Sequence, residues 1–217
     1  YTAEESGLPQ EWDYFAPERI NPFFESLPEL KNLPLVHNLQ KKFVDRLLSH
    51  SLDHDHVLYC MDNETNADPR WGLYWAHYVR DAAEREGKRI ELTDMFDNWD
   101  PTGGRVPGVL VQSPEDHPFL QRSNPQVIID HPEIYTFVDV SNHNAQKGRV
   151  HYETAVFVRN QVAGSDCPRP VTCDKIYGGD RPYEWAGTRQ DGKERFWRDI
   201  FAGFSGCRFH RPPTGLG

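Results

Sequence analysis

Apolar residues recur at helical spacing in four segments of the chain. Segment 34–50 has them three or four residues apart, which predicts an amphipathic helix. A second predicted helix begins with Asp68 as its N-cap and Pro69 in its first turn. Two more helices are predicted over 151–164 and 193–204. The apolar faces of the first, second and fourth helices are Val36, Leu39, Phe43 and Leu47; Trp71, Tyr74, Trp75, Tyr78 and Val79; and Phe196, Ile200, Phe201 and Phe204.

Short apolar runs of strand type separate these helices. They cover 57–61, 89–96, 134–141, 170–178 and 206–212. Residues 1–33 show no clear period and predict an irregular N-terminal loop region, and 97–125 predicts a long polar loop. Alternation of strands and helices favours an α/β fold with a parallel sheet, so we expect 34–217 to form a single domain of βα units.

Composition narrows the classes of partner. The chain has 217 residues and a formal net charge of −9, which argues against binding to a nucleic-acid backbone. No apolar stretch approaches the length of a membrane span, so no membrane partner is expected. No glycine-rich phosphate loop follows any predicted strand, and no cofactor is predicted. The aromatic content of 12% fits either a packed core or platforms that stack on sugars.

Cysteine and histidine spacing predicts no metal site. None of the four cysteines forms a CxxC pair. Cys60 and Cys207 lie in predicted strands and are expected to be buried free thiols, whereas Cys167 and Cys173 are close enough in sequence for a local disulfide. The cluster at 53–56, Asp-His-Asp-His, precedes a strand and so belongs to the end of the sheet opposite the expected site.

Polar residues with catalytic chemistry follow each predicted strand, where the active sites of parallel α/β proteins lie. Glu64 comes directly after the first strand, beside Asn63. A carboxylic acid in a partly desolvated cleft has a raised pKa and suits a proton donor, and Asn63 suits a hydrogen bond to a sugar hydroxyl. The alternative for Glu64 is a solvated loop residue. Asp94, Asp139 and Asp174 lie in or at the ends of later strands and are structural, substrate-binding or catalytic candidates.

The segment from Val57 to Ala83 resembles the fourth strand and following helix of clan A glycoside hydrolases, where an Asn-Glu pair ends the strand. The segments FVDVSNHN, RPVTCDKIYGGD and FWRDIFAGFSGCRFHRPPTGLG are similar to poorly characterised bacterial glycoside hydrolases of this type. The resemblance implies a (β/α)8 barrel of which strands four to eight are evident, so that this chain would be its C-terminal part. It also implies a protein of carbohydrate metabolism and polysaccharide degradation, with secretion or a periplasmic location favoured.

The resemblance makes Glu64 the catalytic acid/base. The family's nucleophile is a Glu at the end of strand seven, where this chain carries Asp174, Lys175 and Asp180 instead. Asp174 is therefore the first candidate for the partner carboxylate, and Asp94 is the second. The residues expected to bind the carbohydrate substrate are Asn63, Asp139, Asn142, His143, Tyr177, Arg208, His210 and Trp99.

Three functions stay open on these residues. The leading one is an enzyme that hydrolyses O-glycosidic bonds of a polysaccharide or oligosaccharide by carboxylate acid/base catalysis. A non-catalytic carbohydrate-binding or inactive barrel protein is the alternative, because strand seven lacks the Glu. A metal-dependent hydrolase that uses the ten histidines and many aspartates is the third. The sequence does not predict the sugar, the linkage or the oligomeric state.

Overall fold

The computed structural model describes residues 22–63, 68–95, 125–140, 146–178 and 186–210. Helices and strands alternate along these residues, which confirms the predicted α/β class. After a 3-10 helix at Pro22–Glu25, the elements are α1 (Pro34–Ser51), β1 (Leu58–Cys60), α2 (Pro69–Arg85), β2 (Glu91–Thr93), α3 (Pro125–Asp130), β3 (Val138–Asp139), α4 (Gly148–Ala163), β4 (Val171–Ile176), α5 (Arg189–Ala202) and β5 (Gly206–Phe209).

The strands form two small parallel sheets, one of β1 and β2 and the other of β3, β4 and β5. In the second sheet Asp139 lies opposite Thr172, and Cys173 lies opposite Cys207. The described residues contain no closed barrel, because their strands pair only within these two groups. The part of the fold prediction that the structure confirms is therefore the parallel α/β arrangement.

Further hydrogen bonds connect β2 with the residues around β3. The Thr136 amide donates to the Leu92 carbonyl over 2.8 Å, and the Thr136 hydroxyl accepts from the Leu92 amide over 2.8 Å. The Asp139 amide donates to the Thr93 hydroxyl over 3.3 Å. Each strand thus neighbours the next one in the chain, and residues that follow neighbouring parallel strands come to the same edge.

The chain divides into two compact units, and the first comprises Tyr1–Leu58 and Ala67–Ile90. As predicted, α2 begins after Asp68, whose carboxylate accepts the Arg70 amide over 3.0 Å. The face predicted for α1 is partly wrong, since Phe43 is 66% exposed and Leu47 is also exposed. Gln40 is buried instead. It accepts from the Ser26 hydroxyl and donates to the Phe23 carbonyl, so its polar atoms are paired inside the unit. The other buried residues of α1 are Val36 and Leu48.

The second unit comprises Tyr59–Asn66 and Glu91–Gly217 and contains the strand ends. Here α5 packs on β4, β5 and α4, and α3 packs on β3. The short helix α3 was not expected from the sequence. Strand β3 is shorter than predicted, although the residues before it are also buried. The apolar core of this unit includes Ile134, Tyr135, Val138, Val140, Val158, Val162, Val171, Cys173, Ile176 and Phe204.

The buried face of α5 differs from the predicted one. Phe204 is buried, as expected, but Ile200 is exposed and Phe201 is 75% exposed. Fully buried Arg195 takes their place. Its guanidinium donates to three backbone carbonyls that precede it in the chain, those of Gln146, Tyr177 and Ala186, at 2.7–2.9 Å. These three hydrogen bonds explain how a cation can be buried here.

All four cysteines are free. The disulfide considered for Cys167 and Cys173 is therefore absent, because β4 carries Cys173 into the core while Cys167 stays exposed before the strand. Cys60 is exposed as a residue and Cys207 is half-buried, although burial raises the pKa of both thiols, so the expectation of buried free thiols is confirmed only in part. Burial raises the pKa of the Cys173 thiol well above its ordinary value, which keeps that thiol protonated and unreactive.

Candidate functional site

Polar side chains gather where β1 to β4 end, all within the second unit. They come from consecutive strands or the turns that follow them. Their positions are Asp62 and Asn63 after β1, Asp94 after β2, Asp139 in β3, and Asp174 and Lys175 in β4. The structure thus brings Asn63, Asp94, Asp139 and Asp174, which were predicted as site residues, to one edge of the strands.

Asp94 is fully buried and accepts hydrogen bonds on both carboxylate oxygens. Oδ1 accepts from the Asp62 amide over 3.2 Å and from the Met95 amide over 2.8 Å. Oδ2 accepts from the Tyr135 hydroxyl over 3.1 Å. Burial and the Asp94 charge raise the pKa of Tyr135, so its hydroxyl remains a donor. Asp94 therefore ties the turn after β1 to β2 and to the segment before β3.

Asp62 and Asp94 form a carboxyl pair. Burial is the main cause that raises the pKa of each. The neighbouring Asp94 charge and a hydrogen bond from protonated Asp62 raise the Asp62 pKa further, while the Lys175 ammonium opposes the rise. At Asp94, the donors Met95, Tyr135 and Asp62 oppose the effect of burial. The pair therefore favours a shared proton, because two charged carboxylates this close disfavour each other.

Asp139 performs a similar connecting role between β3 and β4. It is only 4% exposed, and its Oδ2 accepts from the Thr172 hydroxyl and the Asp174 amide, each over 3.2 Å. Its own amide donates to the Thr93 hydroxyl of β2. These contacts make Asp139 a residue that binds three strands together.

Lys175 reaches from β4 to the turn after β1. Its side chain is buried, and its Nζ donates a hydrogen bond to Oδ1 of Asn63. Asn63 itself is exposed. The contact joins residues that are 112 positions apart in the sequence. A buried cation thus holds the exposed amide side chain of Asn63, the residue that precedes Glu64 in the sequence.

The remaining candidates on this edge lie around the ends of β4 and β5. Tyr177 is buried, and its ring centroid lies 4.8 Å from that of His210. Arg208 is exposed and donates from Nε to the Asp174 carbonyl over 3.3 Å. The structure therefore pairs Tyr177 with His210, and Arg208 with the backbone of Asp174. Stacking of Tyr177 on a sugar stays a prediction.

Glu64, Trp99, Asn142 and His143 lie outside the described residues. Their assigned roles in catalysis and substrate binding stay predictions for that reason. Most of the long loop predicted over 97–125 also lies outside the described residues.

Several residues of the network were not identified as site residues from the sequence. They are Asp62, Thr93, Tyr135, Thr172 and Lys175. Each is polar and lies inside a predicted apolar strand or at its end. A polar residue within a buried strand needs a partner, and that requirement is the signal that could have identified them.

Comparisons with protein-family models, with curated proteins and with solved structures found no match. Within the described ranges, no three His, Cys, Asp or Glu side chains are grouped so that they could hold a metal ion. Among the helices whose placement is described, none has both the length and the apolar character needed to cross a membrane. The function is therefore argued from the strand-end network itself.

Proposed function

We propose that the protein is a glycoside hydrolase that cleaves O-glycosidic bonds of a polysaccharide or oligosaccharide, with Glu64 as its catalytic acid. The observation that carries this proposal is the convergence of carboxyl, amide and ammonium groups at the ends of β1 to β4. Buried carboxyl groups with raised pKa values are a feature of active sites more often than of purely structural surfaces. Carbohydrate hydrolysis is a chemistry that a pair of carboxyl groups supplies.

The proposed scaffold is a (β/α)8 barrel, of which β1 to β5 would be strands four to eight. Two observations support it. The strands neighbour one another in chain order, as barrel strands do. Lys175 of β4 also contacts the turn after β1 across two intervening strands. In a flat sheet β1 and β4 would be about 14 Å apart, so this contact favours a sheet that curls toward closure.

Asp174 is the proposed partner carboxylate. Asp94 and Asp139 are buried and already accept several hydrogen bonds, so a substrate has little access to them. Asp174 is only partly buried. In the proposed reaction Glu64 protonates the glycosidic oxygen, and Asp174 either attacks the anomeric carbon or activates a water. Separations of about 5 Å or about 6.5–9.5 Å between the two carboxyl groups would give retention or inversion, respectively.

The test replaces Glu64 with Gln, which keeps the side-chain shape and removes the acidic proton. We expect hydrolysis of an active glycan to fall by at least about 100-fold, the usual contribution of general acid catalysis. Reducing-end release from plant, algal and microbial polysaccharides is the measurement. Glu86→Gln, at the exposed end of α2, is the control and should retain the wild-type rate. Equal rates in wild type and Glu64→Gln would contradict the assignment.

A non-catalytic carbohydrate-binding protein is the second candidate. The observation that favours it is the buried Lys175 beside Asp174, in the strand where the resemblance would place a nucleophilic Glu. Binding on a glycan array without release of reducing ends would support this candidate over the enzyme.

A further inference from the structure

The contact between Lys175 and Asn63 determines which polar atoms of the Asn63 side chain face outward. An ammonium group has three donors and no acceptor, so only the carboxamide oxygen can face it. The structure shows this arrangement, with Nζ of Lys175 donating to Oδ1 of Asn63. The carboxamide nitrogen, with its two donors, is therefore on the side away from Lys175.

An exposed asparagine without such a partner can turn its carboxamide and present either an acceptor or donors. Asn63 is exposed, whereas Lys175 is 5% exposed and extends from a β-strand. The partner that fixes the amide thus belongs to a rigid element. Rigid support of a binding group from behind is what gives a site its selectivity.

The charge of Lys175 has a second local effect. It opposes the increase in the Asp62 pKa that burial and Asp94 cause, so the ammonium group acts on the residue directly before Asn63. Lys175 therefore interacts with two consecutive residues of the turn that leads to Glu64. A side chain that only filled space would not need a buried charge, since an apolar residue of similar length would pack there without desolvation.

We propose that Lys175 is a positioning residue that holds the Asn63 carboxamide with its NH2 group toward the ligand, so that the site selects a hydrogen-bond acceptor there. The ligand group is an oxygen that can accept, such as a sugar hydroxyl, ring or carboxylate oxygen. The identity of the ligand in this inference rests on the proposed carbohydrate function. The orientation of the Asn63 side chain can be tested in the absence of any ligand.

The first measurement uses NMR of the Asn63 side-chain amide, assigned from its loss in Asn63→Ala. Lys175→Met should shift the two amide proton signals of Asn63, and Lys175→Arg should restore signals close to those of the wild type. Lys193→Met, which removes an exposed lysine of α5, is the matched control and should leave them unchanged. Unchanged Asn63 signals in Lys175→Met would overturn the proposal. Lys175→Gln serves as a second variant if Lys175→Met does not fold.

The second measurement is a double-mutant cycle on the binding of cellohexaose, xylohexaose and laminarihexaose by calorimetry. Asn63→Ala and Lys175→Met should each weaken binding of the best ligand by about tenfold, the usual effect of losing one hydrogen bond. Because Lys175 acts through Asn63, the double variant should lose about tenfold and not about a hundredfold. An additive loss would overturn the positioning role. If the wild type neither binds nor cleaves a wide panel of glycans, the proposed function fails, and the amide signals still decide the role of Lys175.

Discussion

The carboxyl pair of Asp62 and Asp94 should make the folded protein less stable as pH rises, and Asp62→Asn should remove that effect. The folded state raises the pKa of Asp62 above its ordinary value of 3.8, so the folded protein keeps a proton that the unfolded chain has released. Stability contributed by this proton is present below pH 4 and is lost as pH rises toward the folded pKa. Asparagine has nearly the same shape, donates to Asp94 in place of the protonated carboxyl, and has no proton to lose.

The magnitude follows from proton linkage. One proton bound only by the folded state changes the free energy of unfolding by at most about 1.4 kcal/mol per pH unit. From pH 5 to pH 7 the upper limit is about 2.7 kcal/mol. The Lys175 charge opposes the rise in the Asp62 pKa, which reduces the expectation to about 1–2 kcal/mol.

Urea unfolding followed by tryptophan fluorescence at pH 5, 6, 7 and 8 would measure this effect. We expect the stability of Asp62→Asn relative to wild type to increase by about 1–2 kcal/mol between pH 5 and pH 7. Asp55→Asn, in the exposed loop after α1, is the control and should follow the wild-type profile. Parallel profiles for Asp62→Asn and wild type would refute the shared proton.

Two further predictions concern α5. Thr188→Ala removes the hydroxyl that accepts the Asp191 amide in the capping box, and should lower the free energy of urea unfolding by about 1 kcal/mol. A loss below about 0.2 kcal/mol would show that the cap does not stabilise the helix. Phe201→Ala should change stability by less than about 0.5 kcal/mol in the same assay, because its side chain is 75% exposed. A loss of about 3 kcal/mol, as for a core phenylalanine, would mean that this face of α5 is covered.

Local signals predicted the order of the elements well because they depend on neighbouring residues. The Asp68-Pro69 pair marked the start of α2, and short apolar runs marked β1, β2, β4 and β5. Helix α5 begins four residues before the predicted start, because the capping box from Thr188 to Asp191 starts the helix ahead of its apolar residues. The start of a helix is therefore predictable from the sequence where its N-cap residue is evident, as Asp68 is for α2.

The buried face of α5 could not be predicted from apolar periodicity. Periodicity favours Ile200 and Phe201 as core residues, but the structure buries Arg195 and Asp199 in this helix. The partners of Arg195 are backbone carbonyls up to 49 residues away, and backbone atoms carry no sequence signature. Only the fold brings them together, so the sequence alone favoured the wrong face.

The candidate site was predictable in its location but not in its connections. A strand end followed by Asp, Asn or Glu indicated where polar groups would gather, and Asn63, Asp94 and Asp139 do lie there. Their partners are 32 to 112 residues away in sequence, as for Asp62 with Asp94 and Asn63 with Lys175. The spacing of the strands in the sequence does not show which of the side chains at their ends come into contact. Those contacts depend on how the sheet curves.

Stability alone does not explain the composition of this edge. Asp62 and Asp94 bring two carboxyl groups close together in a buried region, where the Asp94 charge disfavours that of Asp62, and Asp139 adds a further buried carboxyl group. Apolar residues at these positions would avoid both the repulsion and the desolvation. The protein instead retains the carboxyl groups, partly neutralises them with a proton and holds them with donors from Tyr135 and Thr172. Where a fold keeps unfavourable buried charge but satisfies it with fixed hydrogen bonds, function is the better explanation, and here Asp94 binds the backbone of Asp62, the residue before Asn63.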